Sequence, residues 1–429
     1  MAMEWLKNLF SVKRAAPPPA VAPGIYHAMQ EAEGLYTRFH LRVERDGSGM
    51  LIANAAAAAR LSPTGVLIAK DLLDGKHEDA ILQDLAAHFR GASEAMMRAD
   101  IAQVNALIQQ IITPGDTYPV YNLDDAALSP YGAQLIAPLQ ASLPLAEPEK
   151  IVPLLDKLWD AGIPHVTLLA PPTPDADHLV RAIEHAEDLG MIAGVRGRAT
   201  DLWNVELLTA LTQAGVDHIT FIYASDAPAV HDALCGAGDH AAAVALLAWL
   251  EANQLCAVAE LPLVQTTLFT LNATVRTLIA QGADNIAFVA YVTTDAALAE
   301  QDGIFAADAM PQVATMVEEA AHEAQARFIW DPPVQRDPAQ SLAAQVQRGP
   351  RCSGDVAVRV EPDGRVIPPR GPYQSAGNLL EMPWNAIWDH AVFRRYRERV
   401  EAPTHCDRCP GLAICAADCP REPAGWAQV

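Results

Sequence analysis

The chain has 429 residues, of which 51% are hydrophobic and 19% charged, and its formal net charge at pH 7 is −22. This length allows two or three domains with a sizeable core, and the acidic balance argues against nucleic-acid binding as the main function. No apolar run reaches the roughly 18 residues needed to cross a bilayer, and residues 1–10 lack the apolar core and cleavage site of a signal peptide. We therefore expect a cytoplasmic protein without a membrane span.

The N-terminal part predicts a linker and a small winged-helix domain. Residues 1–30 are an N-terminal segment with a Pro-rich linker, in which prolines 17–19 and Pro23 make residues 13–24 stiff and extended. Residues 35–43 then alternate as a strand does, and the Ala-rich run at 55–59 favours helix. Three helices are predicted after this strand, at 61–73, 78–89 and 100–112. Together these elements indicate a winged-helix domain over residues 31–115.

The middle of the chain, residues 116–335, alternates between predicted helices and strands. The helices are predicted at 149–160, 177–189, 202–214, 241–253 and 272–281. The strands that follow them are predicted at 166–170, 191–195, 219–223, 256–261 and 286–291. Such a rhythm is typical of an α/β fold with a parallel sheet, open or closed as a partial barrel.

The last part, residues 345–429, carries five of the seven cysteines. A predicted hairpin at 356–367 and a predicted helix at 384–400 precede most of them. The five cysteines are Cys352, Cys406, Cys409, Cys415 and Cys419. Their odd number and clustering do not suit a secreted disulfide framework. Thiolates at these spacings can converge on one iron–sulfur cluster or on one structural zinc ion, and spacing alone leaves both open.

This C-terminal part resembles the SPASM domain of radical S-adenosylmethionine (SAM) enzymes. The residues that match are Cys352, Gly364, Gly377, Asn378, Trp384, Ile387, Trp388 and the Cys-x2-Cys-x5-Cys-x3-Cys run from Cys406 to Cys419. Two ligand positions depart from the family pattern, because Pro369 stands at the hairpin position and no cysteine follows Cys419. The resemblance therefore implies one [4Fe-4S] cluster, with zinc as the alternative, rather than two clusters.

The middle part resembles the partial barrel of radical SAM enzymes. The matching stretches are residues 214–217, 225–226 and 231–236. The family's Cys-x3-Cys-x2-Cys triad is missing, since residues 124–137, which follow a first strand predicted at 118–123, contain no cysteine. Prolines and a threonine at 171–174 replace the family's Gly-Gly-Glu-Pro motif. A SAM-cleaving cluster needs three thiolates, so the resemblance implies a barrel that does not cleave SAM.

The N-terminal domain resembles the PqqD-like peptide-recognition element of enzymes that modify ribosomally made peptides. The match covers residues 61–89 and the strands before them. In that family a leader peptide adds a strand to a sheet edge. The resemblance implies a groove lined by residues 39–43 and by the helix after Ser62.

The sequence supports a non-catalytic or accessory role with a peptide or protein partner, such as an active radical SAM enzyme. The alternative is a redox enzyme or electron-transfer protein that uses the C-terminal cluster. His231 and Asp232 could contact a ligand at the barrel mouth, although a helix start explains them as well. Cys235 and Cys256 are expected to pack in the core, as are Trp384 and Trp388.

Overall fold

The computed structural model describes residues 19–32, 35–53, 57–89, 91, 93–112, 136–283, 285–354, 357–369 and 373–394. Within these ranges an antiparallel sheet with three helices comes first. A parallel sheet covered by helices follows, and a hairpin with a short helix comes last. The first strand predicted at 118–123 and the cysteines at 406–419 lie outside the described residues.

The N-terminal sheet has the strand order β1-β2-β3-β4, with neighbouring strands antiparallel. Its strands are β1 (Gly24–Ala32), β2 (Leu35–Val43), β3 (Gly49–Ala53) and β4 (Ala57–Leu61). The helices after them are α1 (Pro63–Leu73), α2 (Glu78–His88) and α3 (Glu94–Ile112). Ser62 caps α1 by accepting a hydrogen bond from the N–H of Gly65.

Two features of this domain differ from the sequence expectation. The Ala-rich run ends in strand β4 rather than in a helix, because pairing with β3 overrides the intrinsic preference of alanine. Strand β1 lies partly in the segment expected to be a linker, and all nine of its residues pair with β2.

The parallel sheet is a partial barrel whose described strands run in the order β11-β10-β9-β8-β7-β6-β5-β14-β15. Its first strands are β5 (Gln140–Pro144), β6 (His165–Leu169), β7 (Ile192–Gly197), β8 (His218–Ile222), β9 (Cys256–Leu263) and β10 (Asn285–Thr293). Three short strands, β11 (Phe305–Ala306), β12 (Phe328–Trp330) and β13 (Val334–Gln335), all pair in parallel with β10. The sequence had not predicted β5.

Helices connect these strands, and those that contribute to the main core cover the outside of the barrel. They are α4 (Pro148–Asp160), α5 (Ala176–Asp188), α6 (Ala199–Leu202), α7 (Val205–Gln213), α8 (Pro228–Cys235), α9 (Asp239–Ala252), α10 (Gln265–Leu268), α11 (Leu271–Ala280), α12 (Ala296–Asp302), α13 (Met310–Glu323) and α14 (Leu342–Arg348). The helix expected at 202–214 is two helices, α6 and α7, because Asn204 starts a new one by capping the N–H groups of Glu206 and Leu207.

The main core lies between the outer face of the parallel sheet and these helices. Alternate residues of each strand, such as Val166 and Leu168 in β6, pack against helix residues such as Leu154 and Leu158. Each fully buried side chain of this kind stabilises the fold by about 1.5–3 kcal/mol. The other residues of the same strands face the inside of the barrel.

The C-terminal part extends the same sheet. Strand β14 (Ala357–Val360) pairs in parallel with β5 and forms a hairpin with β15 (Val366–Ile367). Of the helix predicted at 384–400, α15 spans Trp384–Trp388, a turn follows at 389–390, and residues 391–394 are helical again, while residues 395–400 lie outside the described residues. The chain turns after Trp388, which brings the ring of Phe393 to 5.2 Å from the Trp388 ring. Trp388 is buried in the main core, as expected.

The N-terminal sheet covers the end of the barrel at which the parallel strands begin. Met50 and Ile52 of β3 pack against Leu139, just before β5, and Ile192 at the start of β7. This apolar contact closes that end of the barrel.

Residues 136–138 form a joint at which three parts of the chain meet. Arg42, fully buried in β2, donates to the carbonyls of Ala137 and Pro138 and pairs with Glu44 at 2.7 Å. Glu44 accepts from the N–H of Ile136 at 2.9 Å, and Trp384 Nε1 donates to the carbonyl of Ile136 at 2.9 Å. The N-terminal sheet and the C-terminal helix therefore bond to the same short segment at the start of the barrel.

No single helix in the described ranges is long and apolar enough to cross a bilayer. One bent pair, Pro228–Cys235 with Asp239–Ala252, reaches that length and composition when its two halves are counted together.

Candidate functional site

The inner face of the barrel is polar, in contrast to its apolar outer face. Buried polar side chains point inward from successive strands, and they are Ser142, Thr167, Arg196, Thr220 and Glu260. Ligands of α/β barrels bind at the carboxyl ends of the strands, over such residues. The inner face is therefore the first place to look for a site.

A buried ion pair occupies the centre of this face. Arg196 of β7 donates from Nε and Nη2 to the two carboxylate oxygens of Glu260 in β9, at 2.6 and 2.7 Å. Burial opposes the charge of the guanidinium, but the Glu260 carboxylate outweighs it, so the pKa of Arg196 is raised. The pair uses both carboxylate oxygens of Glu260. The third guanidinium nitrogen of Arg196, Nη1, donates to the carbonyl of Arg348 at 3.2 Å.

Helix α14 lies across the mouth of the barrel. Its Val346 packs with Ile222, Val289 and Tyr291 from the ends of β8 and β10. Tyr291 also donates to the carbonyl of Gln345 at 3.3 Å, and burial raises the pKa of its hydroxyl well above the usual value.

The side chain of Gln345 fixes α14 to the chain before it. It is fully buried and accepts from Arg336 Nη1 at 2.7 Å, while its amide donates to the carbonyl of Gln335 at 3.1 Å. Arg336 is held in turn by Asp302 at 2.6 Å. The mouth of the barrel is thus filled by hydrogen-bonded residues of the chain itself.

A pair of buried histidines lies at the opposite end of the inner face. Nε2 of His165 and Nε2 of His218 are 2.7 Å apart, so one nitrogen must donate and the other accept. Burial and the neighbouring ring hold the pKa of His165 well below 6.5, and burial lowers the pKa of His218 to about 4. The folded protein therefore keeps both rings neutral near pH 7.

His231, Cys235 and Asp239 have a spacing that could hold a metal ion, with ligand atoms within 4.8 Å of one another and all three residues buried. Their hydrogen bonds favour a structural role instead. The N–H of Ala224 donates to Nδ1 of His231, so the ring proton is on Nε2 and points at Asp239, 3.0 Å away. To bind a metal through Nε2, His231 would have to carry its proton on Nδ1 and donate from there. In the structure Nδ1 accepts a hydrogen bond instead.

The remaining groups of this cluster also support the structural role. Asp239 accepts from the N–H and the hydroxyl of Thr200, and these bonds outweigh burial, so the pKa of Asp239 is lowered. Burial raises the pKa of the Cys235 thiol, which keeps it protonated. Asp232 accepts from the N–H groups of Gly238 and His240 at the start of α9, as the helix-start interpretation implies.

Of the five predicted metal ligands, only Cys352 is described. Its side chain is 2% exposed. The two residues after Cys352 bond to two parts of the partial barrel. The N–H of Ser353 donates to Ser142 in β5, and the N–H of Gly354 donates to Asp331 just after β12. Cys235 is fully buried in the core, while Cys256 is partly exposed at the start of β9.

Residues 124–135, most of the segment in which the sequence lacks the cysteine triad, lie outside the described residues. Strand β5 leads into α4 through residues 145–147, which contain no cysteine. Residues 171–174 follow β6 and include three prolines, which have no N–H to donate.

A second candidate site is a groove beside β4 in the N-terminal domain. Among the described strands β4 pairs only with β3, and its last two residues line a cavity of about 540 Å³. The cavity is lined by Arg60, Leu61, Ser62, Thr64, Gly65, Ile68, Asp100, Gln103, Val104, Ala106 and Leu107. We call it the β4 groove.

The groove corrects one sequence prediction. Residues 39–43 belong to β2, which pairs with β1 on one side and with β3 on the other, so they cannot accept a further strand. Helix α1, which follows Ser62, lines the β4 groove, and its role as the wall of a peptide site stays a prediction. Sequence reasoning missed β4 because its alanines hide the strand pattern.

No family model and no curated protein matches the sequence. Solved structures of SuiB from Streptococcus suis do match in fold. SuiB bound to S-adenosylmethionine aligns with a TM-score of 0.56 and 12% identity, covering 94% of this chain and 99% of that one. SuiB bound to the precursor peptide SuiA aligns over the same shares with a TM-score of 0.54 and 12% identity. The predicted fold class, an α/β partial barrel with an N-terminal domain, is confirmed.

Proposed function

We propose that this protein binds an extended peptide in the β4 groove and acts as an accessory component of a peptide-maturation system. The observation that carries the proposal is the cavity beside an edge strand, flanked by two helices. An edge strand offers unpaired N–H and C=O groups to an added strand, and the cavity offers space for its side chains. Structural similarity to SuiB, which has been solved with a precursor peptide, supports the proposal.

The lining of the groove suits an aliphatic anchor with polar flanks. Ile68, Val104 and Leu107 supply apolar surface, while Arg60 and Asp100 put opposite charges at the same groove. Affinity would come from main-chain pairing and from burying one or two apolar side chains.

The test is a peptide selection followed by one matched pair of variants. Peptides selected from a displayed random library on the full-length protein would be labelled, and their affinity measured by fluorescence anisotropy. Ala106 and Ala102 are both exposed on α3, but only Ala106 lines the groove. We expect Ala106→Arg to weaken binding at least about tenfold and Ala102→Arg to leave it unchanged.

Two outcomes would overturn the peptide proposal. One is a selection that enriches no binding peptide. The other is equal loss of affinity in both alanine variants, which would place the binding site elsewhere or point to an electrostatic effect of the added charge.

We further propose that the protein does not cleave SAM. The described residues do not fit a SAM-cleaving cluster, which needs three thiolates on its iron atoms. Residues 145–147 supply none, and the whole sequence has no Cys-x3-Cys-x2-Cys. After anaerobic reconstitution and reduction we expect no 5′-deoxyadenosine above a no-protein control. Enzyme-dependent 5′-deoxyadenosine would refute this part.

The proposed metal ligands are four of the five cysteines Cys352, Cys406, Cys409, Cys415 and Cys419, which would hold one [4Fe-4S] cluster. Such a cluster would stabilise the C-terminal part or transfer electrons. Counting iron, sulfide and zinc in the reconstituted protein tests this: about four irons with matching sulfide are expected. One zinc without iron would leave a structural site instead. Double replacement of Cys406 and Cys409 by serine should abolish the metal content, and an unchanged iron count would show that the assignment is wrong.

A further inference from the structure

We infer that residues 341–349, which we call the strap, are a permanent internal occupant of the barrel mouth and close it to small-molecule ligands. The strap consists of Ser341, helix α14 and Gly349. It lies over the carboxyl ends of β7 to β10, where barrels of this class bind ligands. The inference concerns the barrel alone and does not depend on peptide binding in the β4 groove.

The contact between Gly349 and Arg196 shows how closely the strap fits the inner face. Gly349 has a φ of +72°, and a Cβ atom built on it would lie 1.8 Å from Arg196 Nη2. Both the backbone conformation and the space therefore require glycine. The backbone at this point rests directly on the guanidinium that Glu260 holds in place.

The C-terminal half of the strap is attached to the barrel by buried side chains and hydrogen bonds, which distinguishes it from a surface loop. Val346 and Gln345 are fully buried, Gln347 Nε2 donates to the carbonyl of Leu234 at 3.1 Å, and the carbonyl of Arg348 accepts from Arg196. An occupant that entered the mouth would have to break these bonds and leave the buried Arg196–Glu260 pair without its cover.

The strap also explains why the inner face can keep two opposite charges without a ligand. Buried charges are tolerated when they are paired and their remaining hydrogen-bonding groups are satisfied. Glu260 satisfies two nitrogens of Arg196, and the Arg348 carbonyl satisfies the third. The strap thus gives the third guanidinium nitrogen an acceptor, a hydrogen bond that a bound ligand would supply in an open barrel.

Limited trypsin digestion of the full chain tests the closure, because Arg348 stands immediately before Gly349 and its peptide bond lies in the strap. Cleavage there requires local opening. We expect slow cleavage in the wild-type protein and cleavage at least about tenfold faster in Gly349→Ala. Gly238→Ala is the control, since Gly238 also has a positive φ, +81°, but nothing lies within 4 Å of the added Cβ.

A milder variant keeps the test decisive if Gly349→Ala fails to fold. Gln347→Ala removes one side-chain bond of the strap and should raise the cleavage rate after Arg348 several-fold while the circular dichroism spectrum stays unchanged. SAM binding to the wild-type protein is measured alongside by equilibrium dialysis. Retention of SAM by the wild-type chain, or cleavage after Arg348 at the same rate in wild type and both strap variants, would overturn the inference.

Discussion

The β4 groove and the mouth of the barrel differ in what occupies them. The groove lies beside β4, which pairs only with β3 among the described strands, and residues of α1 and α3 line its cavity. The mouth lies over polar residues, but α14 covers them and an internal ion pair uses their hydrogen-bonding groups. The chain's own residues thus line a cavity in one region and fill the other. This contrast teaches that the two regions can be tested independently of each other.

Removing one partner of the buried Arg196–Glu260 pair in the barrel should give the largest loss of stability. Glu260→Ala leaves the Arg196 charge buried and unpaired, so we expect a loss of about 3–5 kcal/mol in the free energy of unfolding, measured with urea. The control is Glu147→Ala, which breaks an exposed surface pair with Lys150 and should change the free energy of unfolding far less. Similar losses in both variants would mean that water solvates the Arg196–Glu260 pair inside the barrel.

The second-largest effect is expected from the His165–His218 pair, through the dependence of folding stability on pH. The unfolded chain binds protons near pH 6.5, whereas His218 in the folded chain binds one only near pH 4, so unfolding takes up protons and stability falls as the pH falls. We expect His218 alone to contribute a loss of about 3 kcal/mol between these values, and His165, whose pKa is also lowered, to add to it. Urea titrations of the wild type and His218→Gln should converge toward low pH, while His77→Gln, at an exposed position, should follow the wild type.

A substitution in the β4 groove should change the free energy of unfolding much less. Ala106→Arg adds a charged side chain to the β4 groove without touching the core, so we expect the free energy of unfolding to stay within about 0.5 kcal/mol of the wild type. A combined result, with peptide affinity lost and stability kept, would sharpen the contrast with Glu260→Ala. A destabilisation above about 2 kcal/mol would indicate that the groove is part of the folded core.

The sequence predicted the parallel sheet well, because its outward residues alternate and its helices are long and periodic. It missed β5, whose short run of Gln140–Pro144 alternates polar and apolar residues and ends in proline. It also gave no indication that Arg196 and Glu260 would meet, since they are 64 residues apart and only the closing of the sheet brings them together. Partners of buried charges are set by tertiary packing and leave no local signal.

The joint at residues 136–138 has a consequence for synthesis on the ribosome. Ile136 receives Glu44 from 92 residues upstream and Trp384 from 248 residues downstream. Contacts of such separation form late in folding, and domains emerge in order from the N-terminus. The N-terminal sheet can attach to the barrel entrance while later residues are still being made, but the joint is completed only after Trp384 has left the ribosome. Until then the carbonyl of Ile136 lacks its indole donor, so we expect a truncated nascent chain to be held more loosely at this point than the finished protein.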